Sequence, residues 1–189
     1  MIRNKKFLKY FILYSSIFIF SFIISAIIGW KFTGLPDGTI YVLKTYTSLK
    51  YDNLDMIGIL ANNFLISIIF LYYFYTAKED RFKRYIGMLY FLKLGLIGGL
   101  LFSKAVIIYN LVIALSMIVP HAIIEIPAII YAFSVGWILS ELKEERQSRV
   151  TKEFIHVCMI IFVLLTISAY IETYITLDIF EKLLSYYHY

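Results

Sequence analysis

The sequence predicts an all-α fold: a polytopic helical membrane bundle of about five transmembrane helices, one re-entrant half-helix and interfacial helices. Three observations carry this reading. First, 61% of the 189 residues are hydrophobic and only 16% are charged, against roughly 45–50% and about 25% in soluble domains, and the mean hydropathy is +0.78. One soluble core of this length cannot bury so much apolar side chain. Second, the apolar residues come in runs of the length a helix needs to cross hydrocarbon, about 20 residues. Third, the basic residues gather in short segments between those runs. The composition also excludes other classes. A single cysteine, Cys158, rules out a disulfide scaffold. An aromatic content of 19% rules out a disordered chain. The net charge of +5 is not concentrated on one segment, so nucleic acid is not an expected partner.

The first run, 10–29, carries no charge and follows Arg3, Lys5, Lys6 and Lys9. It is too long for the apolar part of a signal peptide and lacks a small-residue cleavage site, so it reads as an anchor helix that stays in place. The second run is 56–75. The third, 85–103, is interrupted by Lys93, and the last, 154–176, by Glu172. Between them lies Ala105–Ser140, whose only formal charge is Glu125. As one straight helix it would be roughly 54 Å long at about 1.5 Å per residue. That is too long for one crossing and short for two. Pro120 and Pro127 sit inside it, and proline breaks or kinks a helix. The expected solution is a re-entrant half-helix at 106–118 and then a spanning helix at 120–140. A broken helix at membrane depth requires protein or a cavity around it. The charges then fix the number of crossings. Lys78, Arg81, Lys83 and Arg84 form one basic loop, and Lys143, Arg146, Arg149 and Lys152 another. Five crossings place both, with the N-terminus, on the cytoplasmic side, as basic loops prefer, and leave the C-terminus outside. Thr39–Asp55 and Asp178–Tyr189 then read as interfacial helices. No repeat or linker divides the chain, so 1–189 is one integral membrane domain.

Polar and ionisable groups inside the hydrocarbon are costly, and therefore point to function. Here they are Asn62, Asn63, Lys93, Asn110, His121, Glu125 and Glu172. His121 and Glu125 are four apart and share a helix face. The pair reads as a proton relay, as part of a metal site, or as a mutually satisfied couple that positions the turn. The last is the preferred reading. The spacing is not the H-E-x-x-H zinc pattern, and a zinc site needs three or four ligands. Only His121, Glu125 and Glu172 are able to converge. Glu172 continues a polar stripe with Ser168 and Thr176. Lys93 either pairs with Glu125 or Glu172 or extends its amine toward an interface. Gly95, Gly98 and Gly99 make a small-residue face suited to close packing within the bundle. Cys158 reads as core rather than nucleophile. No phosphate loop, dinucleotide fingerprint or nucleophile elbow is present, so no cofactor is called for.

The segment PHAIIEIPAII (120–130) resembles the P-H-G-x-x-E-hydrophobic-P signature of the stage II sporulation protein M family (the DUF95 family). ILANNFLIS (59–67) and SAYIETYIT (168–176) match two further features of that family. The similarity extends from about residue 10 to 178. Ala122 departs from it, since the family usually has glycine there. The family's characteristic residues fall on Asn63, Pro120, His121, Glu125, Pro127 and Glu172. The resemblance implies a multi-pass protein of a prokaryotic cell membrane. Founding members anchor a peptidoglycan-remodelling complex and have two wall hydrolases as partners. Relatives occur in gene clusters for circular bacteriocins. The expected function is thus a scaffold or partner-binding subunit of an envelope-remodelling complex, more a binding protein than an enzyme. One alternative is a maturation, export or immunity component for a circular bacteriocin, working with an ATPase. A second is an intramembrane enzyme or transporter that uses His121, Glu125 and Glu172. A homodimer would suit the transport reading.

Overall fold

A computed structural model describes residues 4–31, 56–76, 80–142 and 147–187, and every regular element among them is helical. The interfacial helix expected over Thr39–Asp55 lies outside the described residues. In chain order the elements are α1 (Asn4–Lys31), α2 (Met56–Thr76), α3 (Asp80–Ile108), α4 (Leu111–Leu142) and α5 (Gln147–Tyr170). A π-helical turn (Ile171–Thr176) and α6 (Leu177–Tyr187) complete the chain. Five of the helical stretches are long and apolar enough to cross a membrane. Their outward positions carry large apolar residues such as Phe20, Ile57, Leu89 and Ile123, as a lipid-facing surface requires.

The break that the prolines suggest lies elsewhere. α4 runs without interruption through Pro120 and Pro127, and residues 111–118 form its first turns rather than a separate half-helix. Proline removes one backbone bond, whereas a break in hydrocarbon strands several backbone groups at once, so an apolar surround keeps the helix continuous. The chain reverses instead at Tyr109–Asn110. Asn110 has φ 127°, a conformation that Asn adopts more readily than most residues. Its Oδ1 accepts a hydrogen bond from the Ile113 amide at 3.0 Å, and its carbonyl accepts one from the Ala114 amide at 3.0 Å. It is therefore the N-cap of α4. Asn110 belongs to a helix turn and not to a polar centre.

α4 is the central helix. Residues 128–139 are buried apart from the half-buried Tyr131, because α1, α2, α3 and α5 all pack on it. A helix that is apolar all round belongs in such a position. On one side an aromatic cluster joins Tyr10, Tyr14, Phe74, Phe91, Phe133 and Trp137, with Tyr10 stacked on Trp137 at 4.5 Å between ring centres. On the other, aliphatic residues of α2, α4 and α5 meet, among them Leu71, Val135, Leu139 and Ile161. Lipid tails are as apolar as these side chains, so dispersion and close packing hold the helices together.

The most extensive interface joins α1 to α3, and small residues explain it. Gly95 and Gly99 abut Ser21 and Ser25 so closely that a Cβ on either glycine would collide with the α1 backbone. Ser25 Oγ donates to the Gly95 carbonyl at 3.2 Å. Gly98 meets only the Phe22 ring, at an ordinary 3.4 Å. The glycine face serves packing inside the bundle, as the spacing predicts.

The last span does not stop at 176 but continues through the π turn into α6. There Phe180 is buried, and its ring meets Tyr109 edge-on at 5.7 Å between centres. The opposite face, with Asp178, Glu181, Lys182 and Ser185, is exposed. The amphipathic tail is thus seated beside the α3–α4 turn.

Candidate functional site

His121 and Glu125 lie one turn apart in the N-terminal half of α4. Glu172 comes from the π turn across from them. The three offer one imidazole nitrogen and two carboxylate oxygens that all lie within 4.8 Å of one another. His121 and Glu125 are half-buried, and Glu172 is only 6% exposed.

Two features bring Glu172 to this place. Ser168 Oγ donates to the His121 carbonyl at 3.1 Å. That bond fixes the register of α5 against α4 one turn before Glu172. The π turn then widens the helix, and Glu172, Thr173 and Thr176 are all buried. Single π turns of this kind recur at functional sites. The hydroxyls of Thr173 and Thr176 find no hydrogen-bond partner among the described residues, and a buried hydroxyl without a partner is costly. Tyr90 of α3 is within electrostatic range of Glu125 and packs its ring on Phe133 at 5.2 Å.

The electrostatics of the site are demanding. Two full negative charges within 4.8 Å of each other repel by at least about 3 kcal/mol at an effective dielectric of about 20. Desolvation adds to that cost. A cation held between the carboxylates relieves both.

The other polar residues stand apart from this cluster or in ordinary roles. Lys93 is exposed on α3 and makes no ion pair among the described residues, so its amine extends outward rather than meeting either glutamate. Asn62 is exposed and donates to Asn63 Oδ1 at 3.4 Å. The Asn63 carbonyl accepts from Ser67 Oγ at 2.8 Å. Pro120 is half-buried and Pro127 exposed. Cys158 is half-buried on α5. The sequence singles out His121, Glu125, Glu172, Ser168 and Thr176. It does not single out Thr173, which a 3.6-residue period places off the stripe, or Tyr90, which no local pattern separates from the other tyrosines.

A family model described as Stage II sporulation protein M matches residues 15–177. The chain belongs to this family. No curated protein and no solved structure matches it. The match contains all of α2, α3, α4, α5 and the π turn. In this stage II sporulation protein M relative, His121, Glu125 and Glu172 are therefore part of the family's own segment, as are Asn63, Pro120 and Pro127.

Proposed function

We propose that the chain is a membrane-resident scaffold of an envelope-remodelling complex in a prokaryotic cell membrane, with its N-terminus cytoplasmic and its C-terminus outside. The observation that carries this reading is the seating of α6. A helix with an exposed polar face (Asp178, Glu181, Lys182, Ser185) is held to the bundle by Phe180 against Tyr109. Five membrane-length helices lie under a small polar platform, which is an arrangement for presenting a surface to partners. Family membership supports the same reading, since the family's founding members anchor wall-remodelling hydrolases.

The test is a photo-crosslinking residue at Glu181 in the full chain, expressed in its own host. The expected product is a covalent adduct with a wall hydrolase, absent when the crosslinker is moved to the lipid-facing Ile123. Adducts with the membrane-spanning subunit of a peptide exporter instead would turn the assignment to peptide export. Failure to form any adduct with an envelope protein would overturn both.

A second reading is favoured by one observation, the convergence of His121, Glu125 and Glu172. In it the cluster performs acid–base chemistry on a substrate that enters from the membrane. Glu125→Gln would then abolish a host phenotype while the protein accumulates normally. The scaffold reading expects loss of phenotype and of accumulation together.

A further inference from the structure

We propose that His121, Glu125 and Glu172 hold a divalent transition-metal ion, with zinc as the best fit, between α4 and the π turn. The inference goes beyond the scaffold reading and does not depend on it.

Three lines of geometry and chemistry lead there. The first is the donor set. One imidazole and two carboxylates lie with their donor atoms within 4.8 Å of one another. Zinc accepts such nitrogen and oxygen ligands at about 2.0–2.2 Å, so donors around a tetrahedral ion stand about 3.5 Å apart. Rotation of the two glutamate carboxylates closes that difference. The chain's one thiol, Cys158, is fourteen residues before Glu172 on the same helical stretch, about 21 Å along the axis, so the site is sulfur-free. The second is charge. A neutral imidazole, two carboxylates and a divalent cation sum to zero, the state that a hydrocarbon surround favours. The third is the π turn. Thr173 and Thr176 bury hydroxyls that lack a hydrogen-bond partner among the described residues, on the same turn as Glu172. Three protein ligands leave one tetrahedral position for water, which adds hydrogen-bonding capacity beside a turn that carries two buried hydroxyls. A mixed His/Glu/Glu set with buried hydroxyls beside it is more than an acidic cluster. The Ser168 bond to the His121 carbonyl holds the two ligand-bearing elements in register.

The experiment is elemental analysis of the full-length chain, purified in detergent from zinc-supplemented cells. The expected result is about one zinc per chain, falling at least tenfold in His121→Ala and in Glu172→Gln. His156→Ala, at an exposed histidine of α5, keeps the wild-type content. Chelation of the wild type lowers its melting temperature, and added zinc chloride restores it. A monodisperse, helical wild type that carries less than a tenth of an ion per chain, and takes up none on titration with zinc, manganese or ferrous salts, overturns the proposal. Undiminished zinc in a folded Glu172→Gln protein overturns it equally. If the variants do not fold, the chelation and titration of the wild type decide. Metal content is read without any partner, so a failed crosslink at Glu181 and a failed metal count are separate outcomes.

Discussion

Asn110 shows how much one side chain decides. Its φ of 127° lies where most L residues are strained, and its Oδ1 closes the first turn of α4. Asn110→Val loses a cap worth about 1 kcal/mol and meets backbone strain of about 1–2 kcal/mol. The expected outcome is a clear fall in melting temperature in detergent. Asn110→Gly relieves the strain while losing the cap, and is expected to stay within about 1 kcal/mol of wild type. Equal effects of the two would show that φ is not the issue. Gly95 makes the same point for packing. Its missing Cβ admits the α1 backbone at Phe18 O and the Ser21 hydroxyl. Gly95→Leu is expected to cost of the order of 3 kcal/mol by overpacking. Gly98→Ala meets only the Phe22 ring and should melt like wild type.

At the scale of the element, α4 and the π turn matter most. α4 tolerates two prolines because a break in an apolar surround would strand more backbone groups than proline removes, so Pro120→Ala should leave the helix and the reversal at 109–110 unchanged. A crosslink between cysteines placed at Tyr109 and Phe180, whose rings are 5.7 Å apart, reports that geometry. It should form as readily with Pro120→Ala as without it. The π turn is different, because it holds one residue more than an α-helical turn would. Deleting the exposed Tyr174 rotates α6 by about 100° relative to Glu172. Either Glu172 leaves the His121–Glu125 face or Phe180 leaves Tyr109. Loss of bound zinc or of the 109–180 crosslink is therefore expected. Retention of both would show that the extra residue has no positional role.

For the whole molecule, labelling reads the proposed orientation. In a Cys158→Ser background, Ser185→Cys should react with a membrane-impermeant maleimide on intact cells. Ser148→Cys, in the basic segment at the start of α5, should react only after permeabilisation. The reverse pattern would invert the topology.

The number of spans, their approximate limits and the candidate ligands are legible in the sequence, because apolar run length and isolated charge are local quantities set by the bilayer. The small-residue face on α3 is legible for the same reason. The sequence misplaces the break in the fourth run, because proline's local cost is weighed there without the surround that lets the helix continue. It also leaves the direction of Lys93 open, since spacing along the chain says nothing of which way α3 turns its face. The sequence alone determines a helical membrane protein with Lys93, His121, Glu125 and Glu172 in its apolar runs. Only the tertiary structure decides that His121, Glu125 and Glu172 meet, for their convergence depends on the register of α5 on α4 and on one widened helical turn. That register rests on a contact between residues 47 apart in the chain, beyond the reach of any local pattern.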